Sequence, residues 1–297
     1  MPTVPIQRIL TYDEKKKLLE KLEEIGKAYI QKDINETLLQ GLSEDDLSNK
    51  EFLVRYLLLA AVLDQQADSE SARKTVREIY SKYKAEFFLQ PENYLKIVNE
   101  VVETAMKTYE PKARVLRMKK EGITLLRIGG YLISVYNLSF RYKNLVDYYK
   151  RFGSPRELLK SGILGEIMFS GILYEKAARL YVGWITHPDL PVQIYDKSID
   201  KAMIPMVVDG HVGKVMARVG LLSRVSVEDK QNMIIKAEDE RITIETQVKT
   251  IKPDGDPFMI DYGAFHIGIR YCHEREPECI NCPLNTICRR NIQIRAY

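Results

Sequence analysis

All four cysteines of the 297-residue chain fall in one short stretch near its end, "CHEREPECINCPLNTIC", at Cys272, Cys279, Cys282 and Cys288. The spacing is C-x6-C-x2-C-x5-C, and four outcomes are open to it: two disulfides, a zinc site, an iron-sulfur cluster, or no shared ligand. Disulfides staple small secreted domains that lack a core. This chain, 45% hydrophobic, is long enough to bury one large core or two modest ones. Structural zinc usually takes two C-x2-C knuckles, and only Cys279 and Cys282 form one. A cubane cluster needs four thiolates set tetrahedrally about an inorganic core, which a short loop with one tight turn can deliver.

Most of the remaining sequence has helical periodicity. "DEKKKLLEKLEEIGKAYI", "NKEFLVRYLLLAAVLDQQ", "ESARKTVREIYSKY" and "PENYLKIVNEVVETAMKTY" each repeat apolar residues at the spacing of one helix face. Strand-like alternation is confined to "RITIETQVKTI" (241–251), followed by the turn signal "KPDGDP", so a small β-hairpin is expected there. The polar turn Asp64-Gln65-Gln66 separates two of the helices, with Ser69 or Ser71 able to cap the second. "LLRIGGYLISVYNLSFRYKN" interleaves Tyr131, Tyr136, Phe140 and Tyr142 with Arg127, Arg141 and Lys143. That pattern suits buried aromatic packing or base stacking over a basic groove.

The sequence therefore predicts a mainly α protein of two helical lobes. Residues 50–185 form a central helical domain, and residues 1–49 with 186–297 form the second lobe, which includes the cysteine loop at 270–290. A ligand cleft is expected between them. No apolar run approaches the ~20 residues that span a bilayer, and the N-terminus turns charged before a signal-peptide core could form. The expectation is a cytoplasmic monomer without membrane contact. A net charge of +4 permits a polyanionic partner without demanding one. Abundant Lys, Glu, Ile and Tyr beside few Cys and one Trp resembles a thermophile's composition.

"MVVDGHVGKVMARVGLL" breaks at Asp209-Gly210 and continues as a helix with Val212, Val215, Met216 and Val219 on one face. Asp209 caps that helix at its positive end, a common arrangement that needs no chemistry. Taken together with the cysteines, the stretch acquires a second meaning. The cysteine spacing matches the cluster loop of the endonuclease III branch of the helix-hairpin-helix DNA glycosylases. "VVDGHVGKVMARVGL" resembles their V-D-x-H-V segment with its following R-x-G-L, filled here by Val208, Asp209, His211, Val212, Arg218, Gly220 and Leu221. "LLAAVLDQQADSESARK" is similar to the family's early L-L-S-x-Q-x-x-D helix pair, and "DYGAFHIGIRYC" to the helix leading into the cluster. The likeness covers roughly residues 50 to 80 and 165 to 297.

What the resemblance implies is a two-lobed helix-hairpin-helix glycosylase fold, a structural [4Fe-4S] cluster on Cys272, Cys279, Cys282 and Cys288, and Asp209 as the essential carboxylate. The partner would be double-stranded DNA containing a damaged base. Gln66 stands where the family has a glutamine that enters the duplex. Gln65, Trp184 and His211 are further candidates for the base pocket. Arg289 and Arg290, with Arg270, Arg275 and Arg295, are candidates for phosphate contacts, or else a solvated basic terminus.

The family's L-P-G-V-G-x-K hairpin is missing. Its nearest counterpart, "FSGILYEKAARLYV", has Gly171 and then Lys176, 33 residues before Asp209, a gap similar to that of the archaeal GO glycosylases. Lys176, partly buried so that its ammonium loses its proton more readily, would be the nucleophile of a bifunctional glycosylase with abasic-site lyase activity. Lys197 and Lys201 are fallbacks. A gapless hairpin reading instead puts Glu175 in the lysine's place and gives a monofunctional enzyme. The base removed is left open between 8-oxoguanine, an oxidised pyrimidine, and mismatched uracil or thymine. A non-catalytic DNA-binding protein of the same fold and a zinc-stabilised RNA-binding or scaffold protein are the rival classes.

Overall fold

A computed structural model describes residues 3–112, 117–195 and 199–296, residues 237 and 238 by backbone alone. It is mainly helical, at 61%. In chain order the elements are β1 (Thr3–Pro5), α1 (Tyr12–Asp33), α2 (Glu44–Ser48), α3 (Lys50–Asp64), α4 (Ser69–Tyr83), α5 (Glu86–Leu89), α6 (Pro91–Leu95), α7 (Val98–Met106), α8 (Lys120–Tyr142) and α9 (Leu145–Tyr149). They continue with α10 (Glu175–Thr186), α11 (Gly210–Val219), β2 (Arg224–Asp229), β3 (Ile234–Ile235), α12 (Ala237–Ile251), α13 (Pro257–Arg270) and β4 (Arg295–Ala296). A one-turn helix, Pro155–Glu157, and short π and 3-10 turns fill the connections.

The chain divides into two compact units, residues 33–203 and residues 1–32 with 204–297. Both boundaries differ from those expected at 50 and 185. Residues 33–49 join the central unit because the turn Ile34–Leu38 packs on α4 and Tyr56 Oη donates to the Leu38 carbonyl at 2.8 Å. Residues 186–203 stay with it because Ile194 N donates back to the Ile185 carbonyl at 2.8 Å and Lys50 Nζ donates to the Gln193 carbonyl at 2.8 Å.

The central unit is built around α3. Every residue from Phe52 to Leu63 is buried, which is the signature of a helix enclosed on all sides. α4, α8 and α10 pack against it. Arg55, buried within this helix, donates to the Phe88 and Leu89 carbonyls and to Ser139, and pairs with Glu51 at 2.5 Å. The carboxylate of Glu51 also accepts from Leu145 N and Val146 N, closing the first turn of α9. The helix after the polar turn is capped by Asp68, which accepts from Ser71 N at 2.9 Å, and not by Ser69 or Ser71. The serine hydroxyl of Ser71 is turned back to the Asp68 carbonyl.

α8 corrects the expectation about apolar length. At 23 residues it is long and apolar enough to cross a membrane, although 39% of its apolar window is buried within the protein. Arg127 interrupts the run in sequence, but its guanidinium is buried on the Leu63 carbonyl and Tyr109 Oη.

In the other unit, α1 and α13 cross at two glycines. A Cβ on Gly26 would stand 2.0 Å from the Met259 carbonyl oxygen, and one on Gly263 2.0 Å from that of Leu22. α11 packs on α12 and α13. The strands form one small sheet in the order β1-β2-β3-β4, antiparallel except for β3 with β4, with Val4 opposite Val225 and Ile235 opposite Ala296. The β-hairpin expected at 241–251 is helix α12. Its alternating residues also fit i, i+4, i+7, and that spacing decides: Ile244, Val248 and Ile251 are buried while Ile242 is 68% exposed. "KPDGDP" is the turn into α13, with Asp256 accepting from Met259 N at 3.1 Å and Pro257 opening the helix.

Gly263→Ala should lower stability by about 1–3 kcal/mol or more, because backbone atoms cannot yield as a side chain can. Denaturant unfolding, compared with the neighbouring Ala264→Gly, measures it.

Candidate functional site

Cys272, Cys279, Cys282 and Cys288 are free thiols, each half-buried, and all four line one cavity in the unit formed by residues 1–32 and 204–297. α13 delivers the first of them, Cys272, whose N–H donates to Ile267 O at 2.8 Å and so holds it at the helix end. Leu284, fully buried, pins the loop between the third and fourth. Burial pushes the thiols of Cys282 and Cys288 up, the latter to about 11, and the other cysteines add to the effect. Such thiols lose their protons most readily to a metal that takes the sulfurs as thiolates.

The wall of the cavity is Arg218, at the C-terminal end of α11 and 1% exposed. Its guanidinium has no carboxylate among the described residues. It donates to Ile294 O at 2.6 Å, His273 O at 2.7 Å, Glu274 O at 3.0 Å and Cys272 Sγ at 3.5 Å. A second donor, Arg290 N, lies 3.3 Å from Cys288 Sγ. The chain leaving the loop returns to α11: Arg289 N donates to Val219 O at 3.1 Å and Asn291 N to Arg218 O at 3.0 Å, which satisfies carbonyls orphaned by the helix end. Gly220 closes the helix at φ 91°, where a Cβ would also meet Arg8 O at 2.6 Å.

These features fit a bound group of negative charge held by four thiolates. A buried cation without a carboxylate is costly unless other charge compensates it, and N–H donors aimed at sulfur are the contacts that tune thiolate ligands. Zinc with four thiolates and a cubane cluster both carry such charge.

The other end of α11 carries Asp209. Its Oδ1 accepts from Val212 N at 2.9 Å, the N-cap expected from the sequence, and the side chain is half-buried. The residue before it, Val208, has φ 22°, a strained value for a β-branched side chain. Buried Asp261 on α13 holds that backbone by accepting from Val208 N at 3.1 Å. His211 lies edge-on to Phe265 at 5.8 Å and against Gly268, where a Cβ would be 2.7 Å from its own Cβ. Its Nδ1 is buried without a hydrogen-bond partner among the described residues, and burial holds its pKa below the usual histidine value.

The remaining candidates lie on other elements. Lys176 is the second residue of α10, in the unit of residues 33–203, and is exposed, so the partial burial expected of it is not there. Glu175 pairs with Arg179 at 3.0 Å. Lys201 pairs with Asp189, and Lys197 lies outside the described residues. Trp184 is buried on α10. Gln65 is consumed internally: its amide donates to Val62 O and Ile172 O while its carbonyl accepts from Tyr174 N at 2.7 Å. Gln66 is exposed at the turn, with φ 55°. Arg289 pairs with Glu14, and Arg290 reaches Asn285. Arg270, Arg275 and Arg295 are exposed. In the aromatic segment Tyr131 is core, Tyr142 lies between the guanidinium groups of Arg141 and Arg151 at 5.2 and 5.0 Å, and Tyr136 and Phe140 are exposed.

Three residues were not read from the sequence as parts of this site: Asp261, Lys214 and Glu274. Lys214 is 1% exposed and pairs with Glu274 at 2.6 Å, whose other oxygen accepts from Ala296 N. The signal was present, since His211, Lys214 and Arg218 recur at i, i+3, i+7 and so share one face of α11. No protein-family model matches the chain, and no curated protein sequence matches it.

Arg218→Met should cost about 3 kcal/mol or more, since it strands three carbonyls and removes the cation beside Cys272. Urea unfolding under anaerobic conditions reads this. The depressed pKa of His211 has a definite sign: the unfolded state takes up the proton first, so its contribution to stability is complete above pH 6.5 and is lost as pH falls below it. In a pH series of melting temperatures, His211→Asn should flatten the slope between pH 6.5 and 5; an unchanged slope would reassign it to other groups.

Proposed function

We propose that the protein is a base-excision DNA glycosylase of the helix-hairpin-helix superfamily, with a structural [4Fe-4S] cluster on Cys272, Cys279, Cys282 and Cys288. The observation that carries this reading is that one helix, α11, joins the two motifs of the family resemblance. Asp209 caps its start, and Arg218, near its end, walls the cavity that the four cysteines line. The helix spans roughly 15 Å.

The substrate is double-stranded DNA with a damaged base, which must leave the stack before its sugar can be attacked. Gln66, exposed at a left-handed turn, would fill the space it vacates. Exposed Arg270, Arg275 and Arg295 would bind phosphates. Breaking the glycosidic bond builds positive charge on the deoxyribose, and the Asp209 carboxylate stabilises it. In the bifunctional form the Lys176 amine donates its electron pair to C1′ as the base leaves with the bonding pair. The sugar ring then opens to an imine, and loss of a C2′ proton expels the 3′ phosphate and nicks the strand. The exposure of Lys176 favours a second reading, a monofunctional enzyme in which Asp209 activates water and leaves an intact abasic site.

A panel of duplexes, each with one oxidised or deaminated base, separates these readings when base release and nicking are scored independently. Asp209→Asn should reduce base release by at least 100-fold on the order of other fixed catalytic charges. Borohydride should trap a covalent adduct that Lys176→Ala abolishes; release without an adduct selects the monofunctional form. Duplex binding with no release from any lesion would identify a non-catalytic DNA-binding protein.

A further inference from the structure

Helix α8 exposes an apolar seam made of Gly122, Leu126, Gly129, Ile133, Tyr136 and Phe140, with Leu126 65%, Ile133 51% and Phe140 85% exposed. The steps between successive members alternate four, three, four, three, four, which is the repeat by which two helices pack side by side. Among the described residues, nothing in the fold requires either glycine. A Cβ on Gly122 would meet nothing within 4 Å, and one on Gly129 only Val98 at 3.9 Å, whereas the neighbouring Gly130 is required by Ile172 at 2.5 Å. Glycine weakens a helix, so exposed Gly122 in the first turn and half-buried Gly129 seven residues on, both in the seam, point to close approach of another backbone.

We propose that this face binds a second copy of the chain, with the two α8 helices antiparallel about a two-fold axis at Tyr131. In that register the positions sharing a layer have a constant sum of residue numbers. Phe140 of one copy then falls opposite Gly122 of the other, Ile133 opposite Gly129, and Tyr136 opposite Leu126. Each glycine receives a large side chain, and no charged residue lies in the seam. Such self-complementarity is what an isologous contact requires. The exposed part of the seam offers roughly 600 Å² of apolar surface per copy, on the order of 1,200 Å² for the pair, the lower end of what specific interfaces bury. A reversible dimer in the micromolar range follows, in place of the monomer expected from the sequence.

Sedimentation equilibrium of the full chain from 1 to 100 µM should show this dimer. Gly129→Leu fills the gap without touching the fold. It should leave the melting temperature unchanged or raised and weaken the dimer at least tenfold. Phe140→Ser, at the most exposed position, should weaken it as much. Exchanging knob and hole in Gly129→Ile with Ile133→Gly should restore association. A single chain at 100 µM, or Gly129→Leu associating as tightly as the natural sequence, overturns the proposal. So does a chain that stays single while this face binds phosphatidylglycerol vesicles or duplex DNA, with Phe140→Ser abolishing that binding.

Discussion

The unit that holds the cysteines depends on the burial of one guanidinium. Among the described residues Arg218 is enclosed without a carboxylate, and the acceptors around it are three carbonyls and the sulfur of Cys272. Those carbonyls belong to the first turn of the cysteine loop and to the last strand segment, so a single side chain sets the path of both. The carbonyl of Arg218 itself accepts from Asn291, which brings the chain back after the loop. Four thiolates around inorganic iron and sulfide, as proposed, would supply negative charge beside the buried cation. In this reading the cluster and the arginine would stabilise each other.

The same helix transmits that order to its other end. α11 lies against α13 through the contact of His211 with Gly268, and α13 in turn holds the strained Val208 through Asp261. Asp209 is therefore placed by two helices and a backbone clamp rather than by a flexible loop. In the proposed role, facing the charge that develops as the glycosidic bond breaks, Asp209 would gain from such rigidity, because no reorganisation would be needed.

Much of this was legible in the sequence because it is local. Asp209 as a cap, the amphipathic helices α1 and α4 and the convergence of the cysteines follow from spacing, whereas α3 is enclosed on all sides and the helix expected over 91–109 is divided into α6 and α7. The misreadings share a cause: nonlocal packing overrode a local pattern. Residues 241–251 alternate like a strand, yet Ile244, Val248 and Ile251 are buried as one helical face. Gln65 looked available for a ligand, but loop 172–174 takes up both ends of its amide. The spacing of His211, Lys214 and Arg218 puts Lys214 on the site face of α11, but its pairing with Glu274 and the environment of Lys176 depend on elements far apart in sequence.

The most direct test is elemental. Protein purified without oxygen and without added metal should contain about four iron and four acid-labile sulfide per chain, with broad absorbance near roughly 400 nm. One zinc per chain in a colourless protein, or no metal at all beside an intact fold, would contradict a cluster at Arg218 and remove the main support for placing Asp209 in a glycosylase.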